Sequence, residues 1–167
     1  MIAFHGANYL IVRTEGVVQS RARGASLIFG VLTILGFAAC GAMIMGMQGY
    51  NLISGPEAGA VQSPVGKVVE MQSGAWLANF SKMPLLWAFP ALGFIGALAG
   101  MAFAAGSKGV AAFVSSSVAM LGIIFTAGVA MFPFVLPSSS HPGHSLTAWD
   151  CVSGKFTLDV MFWVALI

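Results

Sequence analysis

The chain has 167 residues, of which 58% are hydrophobic and only 7% charged, and its formal net charge is +2. An ordinary soluble domain carries about 25% charged residues. Seven Lys/Arg and five Asp/Glu cannot keep the exterior of a water-soluble fold solvated, so lipid is the solvent that fits. The same sparse, dispersed charge excludes a nucleic-acid surface, which needs clustered Lys and Arg to displace counterions from phosphates.

A helix needs about 20 apolar residues to cross about 30 Å of hydrocarbon, so spans are sought where charge is absent. The expected fold is all-α, a polytopic transmembrane bundle forming a single membrane domain over 1–167, with three complete spans and a truncated helix at each end. The first apolar run, about 2–12, supplies only about half a crossing and reads as a cut helix. It lacks the basic-then-apolar order of a signal peptide. Arg13, Glu15, Arg21 and Arg23 follow in a short link, and the arginines place this link on the cytoplasmic side.

The first complete span is expected at about 26–47. Residues 48–82 then form a turn-rich outer connection that includes Ser54-Gly55-Pro56-Glu57. The second span, about 84–105, opens on Pro84, where the missing N–H costs nothing. A tight turn, Gly106-Ser107-Lys108, returns the chain on the inner side. The third span, about 109–136, stops at Pro137 and Ser138-Ser139-Ser140. An outer loop to Lys155 precedes the last apolar run, about 156–167, again half a crossing and without a polar cap. Trp76, Trp87 and Trp149 fall near outer ends, where an indole buries its ring and keeps its N–H wet. Lys67, Lys82 and Lys155 also fall outside, so the orientation rests on the arginine cluster. Small residues recur at helical spacing as Ala38, Ala42 and Gly46, as Gly96, Gly100 and Ala104, and as Gly122, Thr126 and Ala130. Such rows read as close helix packing rather than ligand sites.

Residues able to carry chemistry are few. No complete span contains a histidine, although an axial haem ligand would have to project from one. His5 lies in the first partial helix and reads first as a histidine bonded to a neighbour. His141 and His144 stand at metal-compatible spacing in the outer loop but without a third ligand. Cys40 and Cys151 form no CxxC and read as packing residues. Met43, Met45 and Met47 read as adaptable filler. Asp159 is the one ionisable residue within an apolar run. An i, i+4 pair with Lys155 is the plain expectation for it, set against a role in a proton path. Thr147-x-x-Asp150 has the form of a capping box, which would start a short surface helix. Arg13, Glu15, Trp149, Asp150 and Asp159 are therefore carried as candidate structural or interfacial polar residues. No catalytic, cofactor or metal residue is expected.

The stretch Thr126-Ala127-Gly128-Val129-Ala130-Met131-Phe132-Pro133-Phe134-Val135-Leu136-Pro137-Ser138-Ser139 resembles subunit II of the cytochrome bd-type quinol oxidases. Further segments agree in order. They are Gly6-Ala7-Asn8-Tyr9-Leu10 with Arg13-Thr14-Glu15-Gly16, Gly74-Ala75-Trp76-Leu77-Ala78-Asn79-Phe80 with Pro84-Leu85-Leu86-Trp87, and Ser145-Leu146-Thr147-Ala148-Trp149-Asp150 with Thr157-Leu158-Asp159. The resemblance covers nearly the whole chain and implies the second half of that subunit. Val61-Gln62-Ser63-Pro64 and the His141–His144 stretch carry no family pattern.

What the resemblance implies is a bacterial inner-membrane protein packed against subunit I, which holds haem b and haem d. The complex would oxidise quinol and reduce O2 to water with charge separation across the membrane, and this chain would be a haem-free structural and assembly part. Residues proposed for proton delivery belong to the family's other half, so none carries over. Quinone contact through Trp87 or Phe132 is a secondary expectation. The alternative is half of a secondary transporter, for which Thr33 and Ser115-Ser116-Ser117 would be the midplane polar groups.

Overall fold

The computed structural model describes residues 1–55 and 66–166. Glu57 and Val61-Gln62-Ser63-Pro64, and the terminal Ile167 of the last expected helix, lie outside the described residues. The chain divides into two compact units, Met1–Met47 with Trp76–Ala130, and Gln48–Ala75 with Met131–Ile167.

The first unit is a helix bundle. Helix α1 (Ile2–Arg13) is followed by α2 (Gly16–Gly46) after a link of only Thr14 and Glu15. Gly16 takes φ +63°, a left-handed conformation that glycine enters without a Cβ penalty. The helix that carries the first expected span, about 26–47, therefore starts at Gly16, well before Ser26. Arg21 and Arg23 therefore ride on α2 and are not in a link. Charged side chains on aliphatic stems reach water from a helix that extends past the hydrocarbon, so a charge-free window marks the crossing and not the helix end.

The α1–α2 corner satisfies its orphan carbonyls locally. Thr14 Oγ1 donates to Leu10 O at 2.7 Å, and Gln19 Nε2 donates to Ile11 O at 3.0 Å. Arg23 Nη2 donates to Gln19 Oε1 at 2.9 Å. A cation close to the negative end of α1 also suits the helix dipole.

A 3-10 turn at Ala75–Leu77 and the short α3 (Ala78–Lys82) lead to a second 3-10 turn at Pro84–Trp87 and then α4 (Ala88–Ala105). Asn79 Nδ2 donates to Val129 O at 2.8 Å, tying α3 to the last turns of α5 (Gly109–Met131). The turn between α4 and α5 closes through Lys108 N–H on Phe103 O at 2.9 Å, with Ser107 at φ +62°. Helices α2, α4 with its preceding turn, and α5 are each long and apolar enough to cross a membrane. The protein is a polytopic helical membrane protein.

Packing follows the small residues. A Cβ built on Gly96 would stand 2.6 Å from Ala119 N, and one on Gly122 only 2.4 Å from Gly93 N. The α4 and α5 backbones therefore touch at these positions, as small residues permit in lipid, where van der Waals contact replaces the hydrophobic drive. Phe4 is buried against Gly30 and Gly100. Ala104 is also buried, whereas Ala38, Ala42 and Gly46 are exposed along the later part of α2.

The second unit contains an unanticipated hairpin, β1 (Gln48–Ser54) with β2 (Val68–Ser73), antiparallel from Gln48↔Ser73 to Ser54↔Val68 with an irregularity after Leu52. This corrects the purely turn-rich connection. The third expected span also ends early. Helix α5 stops at Met131, and β3 (Phe134–Leu136) pairs with β4 (Leu146–Thr147). The cis bond between Phe132 and Pro133 falls at this change of structure, and Pro133 has no N–H to continue a helix. Helix α6 (Lys155–Leu166) has no buried residue.

Candidate functional site

Polar side chains are rare in the bundle, so each one must be accounted for in lipid. Asn8 and Ser26 are fully buried. Ser26 Oγ donates to Asn8 Oδ1 at 2.9 Å, and Asn8 Nδ2 donates to Phe4 O at 3.0 Å. The pair joins α1 to α2 across their antiparallel contact. A second contact joins α1 to α5, where His5 Nδ1 and Ser116 Oγ are 2.9 Å apart. The Ser116 hydroxyl donates to Phe113 O at 2.8 Å, which leaves its oxygen to accept from a protonated Nδ1. The imidazole also lies against Phe113, ring centroids 4.8 Å apart. His5 is thus bonded to a neighbour, although to one on a distant helix.

A cavity of about 690 Å³ opens in the same unit, walled by α2, α3, α4 and α5, with Phe37, Cys40, Trp87 and Phe94 among its lining. Its two hydroxyls are committed to their own helices, Thr33 to Phe29 O and Thr126 to Gly122 O. The lining is nearly all apolar and holds no His, Arg or Lys, while Cys40 and Met45 stand among its side chains.

In the second unit the polar centre is an ion pair. Lys67 Nζ bonds Asp150 Oδ2, and the two side chains are 1% and 2% exposed. Asp150 Oδ2 also accepts from Thr147 N at 2.8 Å and Thr147 Oγ1 at 2.7 Å. Burial pushes this carboxyl upward, but the Lys67 ammonium and the two Thr147 donors outweigh it and hold the group below its ordinary value. Thr147 and Asp150 make the contact expected of a capping box, yet the chain forms a single turn there and no helix. Asp150 spends its charge on Lys67 rather than on a helix N-terminus.

The other anticipated residues are dispersed. Arg13 is exposed and lies 5.8 Å from the centre of the Tyr9 ring. Glu15 is the exposed N-cap of α2, with no side-chain capping bond. Trp149 is half exposed and meets the Phe132 ring edge-on, centroids 5.6 Å apart. Asp159 is exposed on α6, and the Lys155–Asp159 pair does not form. His141 and His144 stack at 5.2 Å, and among the described residues no group of three metal-ligating side chains assembles. Sequence reasoning missed Lys67, Asn8 with Ser26, and Ser116 as the partner of His5.

Comparison with known proteins bears on the whole chain. Residues 1–167 match the family model for cytochrome bd terminal oxidase subunit II. A probable cytochrome oxidase subunit 2 from Haemophilus influenzae is 41% identical over 167 residues, covering 100% of this chain and 44% of that protein. The cytochrome bd-I ubiquinol oxidase subunit 2 of Escherichia coli K12 is 44% identical over 168 residues, with the same coverage of each. The chain thus spans a little under half the length of these relatives. With a whole-chain family match and helices suited to lipid, the chain belongs to the cytochrome bd terminal oxidase subunit II family.

Proposed function

We propose that this chain is a haem-free, structural part of a bd-type quinol oxidase in a bacterial inner membrane. In this reading it packs with a subunit I that carries haem b and haem d, and the complex oxidises quinol and reduces O2 to water. The observation that carries the reading is the family match along all 167 residues. The bundle supports a structural part, because Asn8 with Ser26 and His5 with Ser116 bond α1 to α2 and to α5. Arg13, Arg21 and Arg23 are proposed to mark the cytoplasmic end of the first unit. The remaining candidates take structural parts, Asp150 and Trp149 in the second unit and Glu15 at the α1–α2 corner. A transporter half is less favoured, because α2, α4 and α5 run unbroken whereas transport sites use interrupted helices.

Affinity purification of the full-length protein from its own membrane tests the partner. A haem-bearing subunit should accompany it in constant ratio, with the haem spectrum following that subunit after the two are separated. Isolation of the protein with no haem-bearing partner would count against the reading.

A further inference from the structure

Arg13, Arg21, Arg23 and Lys108 gather at one end of the first unit, where Glu15 is the one acidic residue. Ile11, Ala22, Ala104 and Ala112 form a buried cluster at that end, which brings the start of α2, the end of α4 and the start of α5 to one level. Helix α2 has 31 residues, about 46 Å at 1.5 Å per residue, against a hydrocarbon core of about 30 Å. Its charge-free part runs from Gly24 to Gly46, so the excess length lies at the Gly16 end. Arg23 stands about 10 Å from Gly16 by the same rise and so falls at headgroup depth.

Arg23 is anchored yet incompletely bonded. Its Nη2 donates to Gln19 Oε1 at 2.9 Å, and Gln19 Nε2 donates to Ile11 O at 3.0 Å. Gly109 stands against the same carbonyl, where an added Cβ would lie 3.4 Å from Ile11 O, so Lys108 at the head of α5 neighbours this chain of bonds. Arg23 Nε is buried without an acceptor, and among the described residues no carboxylate pairs with any of these cations. A buried donor without a partner is costly. A guanidinium offers Nε and Nη as a fork that matches the oxygens of a phosphate.

We propose that Arg23 and Lys108 hold the phosphate of one anionic phospholipid at the corner where α1 meets α2 and α5 begins. Rotation of the guanidinium off Gln19 turns Nε and one Nη to the phosphate, and Lys108 supplies the second charge. Charge complementarity selects the occupant. A zwitterionic headgroup brings an ammonium that the surrounding cations repel, whereas an anionic one brings only the charge they lack. Arg21 lies about 200° around α2 from Arg23 and is outside the site. The inference rests on α2, α4 and α5 crossing the membrane, not on the oxidase reading, so oxidase activity does not decide it.

The test uses the full-length protein, with any subunits that copurify, in phosphatidylcholine nanodiscs. These carry a trace of phosphatidylglycerol with a photoactivatable diazirine near its headgroup, or the matching phosphatidylcholine probe. Adducts on the segments 13–23 and 106–113 are read by peptide mass spectrometry as the ratio of the two probes. That ratio is taken within each variant, so a smaller amount of folded protein does not imitate a lost site. The phosphatidylglycerol probe should be favoured about 25-fold, from two cationic contacts of about fivefold each. Arg23→Gln and Lys108→Gln should each lower the ratio about fivefold, and Arg21→Gln should leave it within about twofold. Excess inorganic phosphate should not reduce labelling. Equal labelling by the two probes, an unchanged ratio in Arg23→Gln or Lys108→Gln, an equal loss in Arg21→Gln, or displacement by phosphate would overturn the proposal.

Discussion

At Asp150 burial and pairing act in opposite directions on one carboxyl, and pairing wins because three donors converge on Oδ2. Lys67→Met would leave that charge buried and alone, a loss of about 3–5 kcal/mol for a broken buried pair. The sign of the pH dependence follows from the depressed value. The contribution is whole above the ordinary carboxylate value of 3.8 and fades as pH falls below it, through the folded value. Heat-unfolding midpoints of the unaltered protein and the Lys67→Met variant, taken from about pH 7 to about pH 3, should therefore differ most near neutrality and converge in acid. A gap that stays constant would contradict this account. For the Asn8–Ser26 contact, a double-mutant cycle of Asn8→Ala and Ser26→Ala should return a coupling of about 0.6 to 1.7 kcal/mol in unfolding measurements. No coupling would remove the bond from the account. Neither contact was legible from residue type alone. Asn8 and Ser26 stand at unequal distances from the Thr14–Glu15 link, so even a known corner between α1 and α2 does not pair them by position. Lys67 and Asp150 are separated by 83 positions, and nothing local signals that they meet.

Helices were the most legible elements, because lipid imposes a length and an absence of charge that sequence displays directly. Their ends were less so. Helix α2 runs through Arg21 and Arg23, since long cationic side chains can leave the apolar layer without ending the helix. Helix α5 stops at Met131 because Pro133 has no N–H to continue it, and Phe132 and Pro133 turn the chain into β3, which pairs with β4. The β1–β2 hairpin escaped notice because most of its residues are exposed, which leaves no alternating buried face to read. Where small residues were singled out, the α4–α5 contact shows which of them matter. A methyl at Gly122 would meet Gly93 N at 2.4 Å and Phe89 O at 2.7 Å, so Gly122→Ala should cost about 1–3 kcal/mol through forced separation of two backbones. Gly128, with nothing within 4 Å, provides the comparison, and Gly128→Ala should be neutral or stabilising by up to about 1 kcal/mol. Equal stability of the two variants in thermal unfolding would argue against backbone contact. In the α4–α5 turn, Ser107 at φ +62° should tolerate glycine well, and Ser107→Gly is expected to raise stability by about 1 kcal/mol, the usual cost of a left-handed non-glycine residue. A lowered unfolding midpoint would contradict that.

For the whole molecule, composition alone placed the chain in lipid, and the Thr126–Ser139 stretch supplied the family resemblance that the comparisons bear out. Orientation is the point at which the two kinds of reasoning meet. Met83 and Ser107 lie at opposite ends of the span Pro84–Ala105. With Cys40 and Cys151 changed to serine, Ser107→Cys should react with a membrane-impermeant maleimide only after cells are opened, and Met83→Cys in intact spheroplasts. The reverse pattern would invert the proposed topology. The oxidase role itself is tested most directly by quinol-dependent oxygen uptake in membranes from cells with the full-length gene deleted and then restored. The account predicts that bd-type uptake disappears on deletion and returns with the gene, together with the haem b and haem d spectrum of an assembled partner. Undiminished uptake and an unchanged haem spectrum in the deletion strain would contradict it.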